Sequence, residues 1–113
     1  MDLSAFLTGQ VMGVALVFGR IGGVAMYMPA LGEAFVPVRH RIAFALLLSL
    51  ALYPALPVGP QSLDAPGLLL AALGIELTLG LWIGMTARIL LTGLQFAGAQ
   101  IGMIIGFSNA LAP

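Results

Sequence analysis

Residues 68–111 run for 44 positions with only two charged side chains, Glu76 and Arg88. No soluble domain can hide a stretch of that length in its own core, whereas a bilayer crossing needs about 20 consecutive apolar residues. Two earlier stretches are of the same kind. Residues 6–28 are mostly apolar, interrupted by the charge of Arg20, and stop at Pro29, and residues 42–56 form a denser, shorter run ended by Pro54 and Pro57. The whole chain is 61% hydrophobic and 7% charged, with a mean hydropathy of +1.14. Eight charged residues cannot cover a soluble surface.

These runs predict an all-α integral membrane protein with apolar segments at about residues 6–28, 42–56, 68–90 and 91–111. Backbone groups in lipid must be satisfied inside helices or closed barrels, and no strand-like alternation is visible. Residues 30–41 read as a loop holding Glu33, Pro37, Arg39, His40 and Arg41, and residues 54–67 as a second, Pro- and Gly-rich loop. The last 44 residues allow one long helix or two spans hinged near residues 88–93; the expectation is a bent hairpin. The N-terminus has no positive leader region, so the first apolar run is expected to stay as an anchor.

Several function classes are excluded early. Four Arg against four acids, with no Lys, leave no basic patch for nucleic acid and no polybasic lipid-binding segment. The lack of Cys removes thiolate and disulfide chemistry. There is one His and no paired-carboxylate motif, so no catalytic constellation, cofactor site or metal site is expected. His40, set between Arg39 and Arg41, reads as a loop histidine near headgroups rather than a ligand. Met12, Met26, Met28, Met85 and Met103 read as gap fillers, with a methionine-lined seal as the sharper alternative. Trp82 and Tyr53 read as interface anchors.

Glycine spacing carries more information. Gly98, Gly102 and Gly106 recur every four residues, and Gly9/Gly13, Gly80/Gly84 and Gly93/Ala97 repeat the interval. Such spacing lets helix backbones approach closely, and a chain this small cannot use every such face internally. Three charges, Arg20, Glu76 and Arg88, lie inside apolar runs, where an unpaired charge costs at least about 2.5–3.5 kcal/mol. Glu76, Gly80, Gly84 and Arg88 step by four and share one helix face. Glu76 and Arg88 stand about 18 Å apart along that helix, too far to pair. Glu76 therefore requires Arg20 or another subunit. A water-lined path or interchain contact is one reading; an intrachain pair, with Arg88 snorkelling to an interface, is the other.

The chain resembles the FliR/SpaR/SctT family of flagellar and type III secretion export-gate proteins. The resemblance rests on Arg20, on Pro29-Ala30-Leu31, on Pro37-Val38-Arg39, and on Pro54-Ala55-Leu56-Pro57 after an apolar helix. It continues through Glu76, Gly80, Gly84 and the Ala97-Gly98…Ile101-Gly102…Gly106 motif, in family order over nearly the whole chain. The family often reads Gln-Met-Gly where Ile104-Ile105-Gly106 stands, and Asp-Pro where Ala112-Pro113 stands. Its members are considerably longer, so this sequence matches their N-terminal portion.

The resemblance implies a non-enzymatic subunit of the bacterial inner membrane, multi-pass, at the base of the flagellar basal body or injectisome. Its helical hairpins would pack with FliP-like and FliQ-like subunits into a superhelical export gate, associate with an FlhB-like switch protein, and help form the channel for unfolded export substrates. It also implies a channel plug near Gly106, involving Phe107, Ser108, Asn109 and Leu111. A self-oligomerising membrane scaffold or half-transporter is the competing class. Arg39 and Arg41 in the first loop, against Asp64 in the second, place the first loop on the cytoplasmic side by the positive-inside bias.

Overall fold

The computed structural model describes residues 2–59 and 65–112. Among these the chain is helical, without strands. Helix α1 spans Leu3–Tyr27 and α2 spans Val38–Leu52, followed by a short 3₁₀ turn, Tyr53–Ala55. Helix α3 spans Pro66–Ile104, and a brief α4 spans Phe107–Leu111.

Each boundary has a local cause. Asp2 caps α1 by accepting the Ser4 N–H at 3.2 Å. Beyond Tyr27 the backbone turns extended at Met28, ahead of Pro29. Ala30 then adopts a left-handed φ of +74°, and Gly32 donates its N–H to the Met28 carbonyl at 2.7 Å, folding the loop back over the end of α1. Pro37 precedes α2 and Pro66 opens α3, both positions where a missing N–H costs nothing.

Two expectations are corrected. Helix α2 begins at Val38, so Arg39, His40 and Arg41 belong to its first turn rather than to the loop; the fixed φ of Pro37 lets the helix start there. The hinge expected near residues 88–93 is absent, because α3 is one 39-residue helix through both apolar segments. No proline occurs between Pro66 and Pro113. Gly93 and Gly98 each cost a helix only about 1 kcal/mol relative to Ala, far less than leaving backbone groups unpaired in an apolar setting. The helix stops instead at Gly106, whose φ of +69° suits a residue without Cβ.

Helix α1 lies between its neighbours, antiparallel to α2 and parallel to α3, while the backbones of α2 and α3 stay more than 8 Å apart at their Cα atoms among the described residues. The body measures 71 × 23 × 22 Å. What it buries is small: Gly9, Gly13, Val17, Gly23 and Ala25 on α1, Ala45 and Ser49 on α2, Gly80 and Gly84 on α3. The large side chains face outward, Trp82 with 69% of its surface exposed. That inverts a soluble core and fits a chain solvated by lipid and neighbouring helices. Three helices are long and apolar enough to cross a membrane.

Candidate functional site

The site is built on the α1–α3 crossing. A Cβ added at Gly80 would collide with the main chain of Arg20, one at Gly84 would lie 2.6 Å from the Val24 carbonyl oxygen, and one at Gly23 would lie 2.7 Å from the Leu77 carbonyl oxygen. The two backbones thus touch along a glycine seam, which the four-residue spacing permits.

Beside the seam, Arg20 and Glu76 form a two-pronged pair, Nε to Oε2 at 2.7 Å and Nη2 donating to Oε1 at 3.1 Å. Both guanidinium prongs meet both carboxylate oxygens, the geometry that makes arginine the stronger partner in such pairs. Glu76 therefore finds its counter-charge within the chain. The pair lines an open cleft of about 450 Å³ together with Leu16, Val17, Leu52 and Leu56. A second cleft, of about 340 Å³, opens on the opposite face of α1 between Phe18, Gly22, Met26, Ile42 and Leu77.

Farther along α3, Arg88 serves the end of α1. Its Nε donates to the Tyr27 carbonyl at 2.9 Å and its Nη2 to Glu33 Oε1 at 3.3 Å. A cation on the last carbonyls of a helix also complements the helix dipole. Arg88 is thus held by the chain rather than extended to an interface. Arg41 donates to the Glu33 carbonyl, tying the start of α2 to the same loop. The α1–α2 contact uses Tyr53, whose ring covers Gly13 and whose hydroxyl donates to Gln10 Oε1 at 2.6 Å. Tyr53 is a packing residue here, not the free interface anchor expected. Ser49, fully buried, returns its hydroxyl to the Ala45 carbonyl at 2.6 Å.

Beyond Arg88 the helix runs on alone. Residues 89–101 are exposed at every position, and nothing lies within 4 Å of a Cβ placed on Gly93, Gly98 or Gly102. From Arg88 to Ile104 this arm extends about 24 Å past the end of α1. Gly106 likewise has no neighbour at its Cβ position. The backbone of α4 continues from it, with the Asn109 N–H donating to the Gly106 carbonyl at 3.2 Å. Asn109 and Leu111 are exposed; the side chains of Phe107 and Ser108, and the whole of Asp64, lie outside the described residues.

The structure thus brings Arg20, Glu76, Gly80 and Gly84 together, and leaves Gly98, Gly102 and Gly106 apart from every other element. Gly23 and Glu33 were not foreseen. Gly19 and Gly23 repeat the interval of four, which was the available signal for the first; Glu33 carried none, since its partner is 55 residues away. Among the described residues no group of three acidic or histidine side chains is placed to hold a metal.

Residues 11–112 match the family model described as bacterial export proteins, family 1. The chain belongs to that family. Among curated export-family proteins, it is 41% identical over 116 residues to the flagellar biosynthetic protein FliR of Caulobacter vibrioides, covering 98% of this chain and 46% of that protein. It is 34% identical over 96 residues to the flagellar biosynthetic protein FliR of Bacillus subtilis, covering 84% of this chain and 36% of that protein. The chain therefore spans less than half the length of these FliR relatives. No solved structure gives a significant match.

Proposed function

We propose that this export-family chain is a non-catalytic subunit of a flagellar or type III protein export gate in the bacterial inner membrane, helping to form the channel for unfolded export substrates. The observation that carries the reading is the bare arm of α3. The arm bears three polar side chains, Thr92, Gln95 and Gln100, and a glycine face open to close approach at Gly98 and Gly102, which are the features that helix–helix packing in a membrane uses. The partners are those the family resemblance implies, FliP-like and FliQ-like subunits with an FlhB-like switch protein. The segment 106–111 would contribute to the plug.

Residues 1–113 contain no cysteine, and any cysteine elsewhere in the full-length protein is replaced by serine before single cysteines are introduced. Ile101→Cys in the full-length protein, oxidised in membranes against single cysteines in FliP-like and FliQ-like subunits, should give a heteromeric adduct. An adduct only between copies of this chain would favour the self-oligomerising scaffold and defeat the gate reading.

A further inference from the structure

One end of the molecule collects nearly all of its positive charge. Arg39, His40 and Arg41 form the first turn of α2, and Arg88 reaches the same end from α3. Among the described residues Glu33 is the one acid in this region, and its carboxylate is already occupied by Arg88. Arg39, His40 and Arg41 are consecutive in the sequence, and the fold brings Arg88 to the same end. The placement is electrostatically unfavourable by itself, because cations at a helix N-terminus oppose its dipole, and Pro37 supplies no side-chain cap. The side chains of Arg39 and His40 are exposed and have no hydrogen bond or ion pair among the described residues. Immediately before them, Phe35 stands 80% exposed, and Val38 and Ile42 continue the apolar rim at 53% and 50%. An exposed aromatic wedge beside unpaired arginine, at the end of two membrane-length helices, matches the boundary between acyl chains and phosphate headgroups.

We infer that Arg39 and His40, flanked by Phe35, form a docking surface for anionic phospholipid headgroups, with Phe35 inserted among the acyl chains. The Arg39 guanidinium recognises the phosphate and the excess negative charge of the leaflet, and the His40 imidazole supplies a hydrogen-bond donor beside it. The wedge fixes the end of the α1–α2 hairpin at that depth. This is independent of which subunits cover the α3 arm.

The test uses the full-length protein in mixed micelles of phosphatidylglycerol and phosphatidylcholine, with bound lipid counted by native mass spectrometry. The parent should retain phosphatidylglycerol at least about fivefold in preference to phosphatidylcholine. Arg39→Gln with His40→Gln should remove most of that preference, and Arg39→Lys should keep it within about twofold. Neither side chain has a partner to lose, so unchanged helicity and elution are expected of both. Phe35→Ser should weaken retention of both lipids and preserve the preference. A parent without preference, a double variant that keeps it, or a Phe35→Ser variant that retains lipid normally would overturn the inference. Displacement by soluble glycerol phosphate at lipid-like concentrations would do the same, since it would mark a free-phosphate site.

Discussion

The carbonyl of Arg20 fills the space that a side chain at Gly80 would occupy, while the guanidinium of the same arginine grips Glu76 one helical turn earlier. Backbone and side chain of one residue thus fix the register of α1 on α3. Neither contact works without the other: the ion pair needs the close approach, and the close approach needs a residue without Cβ.

Gly80→Ala should therefore destabilise the α1–α3 contact by about 1–3 kcal/mol, the usual range for overpacking. Gly98→Ala, in the arm where nothing stands within 4 Å, should be neutral or stabilising by about 1 kcal/mol through helix propensity. Reversible unfolding of the isolated chain in mixed micelles measures both. In the assembled complex the ranking should change, with a bulky replacement at Gly102 lowering assembly while a Leu→Val change on a lipid-facing position does not.

Glu76→Gln removes one charge and leaves Arg20 uncompensated in an apolar setting. The yield of assembled complex should fall about tenfold, in line with the roughly 2.5–3.5 kcal/mol cost of an unpaired charge inside a membrane, reduced because half of Arg20 stays exposed. The exchanged pair Arg20→Glu with Glu76→Arg should recover part of the loss. Equal yields in parent and Glu76→Gln would show the pair to be dispensable.

Ala30 holds a left-handed backbone that costs a residue with a Cβ about 1–2 kcal/mol. Ala30→Gly relieves that strain and also loosens the unfolded chain, so a net gain of about 1 kcal/mol or less is expected. Urea unfolding of the α1–α2 hairpin within the full chain reads it. Destabilisation would mean that the methyl group makes a contact the loop needs.

If the segment after Gly106 closes a channel, small-residue substitutions at Phe107 and Leu111 should raise ion leakage through the assembled gate while leaving assembly intact, because an apolar constriction blocks ions by dewetting. Parental conductance in every such variant would exclude the segment from the seal.

Much of this was legible in the sequence. Apolar run lengths and prolines announced the helices, and the cost of isolated charges required a partner for Glu76, which proved to be Arg20. The continuity of α3 was less legible, because glycines and a charge near residue 88 resemble a hinge when read locally. Only the absence of proline argues otherwise. Glu33 could not be foreseen as the partner of Arg88, since a long-range pair has no periodic signature. The role of Tyr53 depended on Gly13, a contact created by the antiparallel return of α2.

An uninterrupted α3 also carries angular phase. Gly98 follows Gly84 by 14 positions, which at about 100° per residue returns it to within about 40° of the seam direction. Orientation at the glycine seam therefore dictates which way the distant arm points. An insertion of one residue between them would swing the arm's glycine face by about a quarter turn, whereas seven or eleven residues would nearly restore it. Length variation in this part of the helix should thus be quantised, tolerated only in steps that preserve rotational phase.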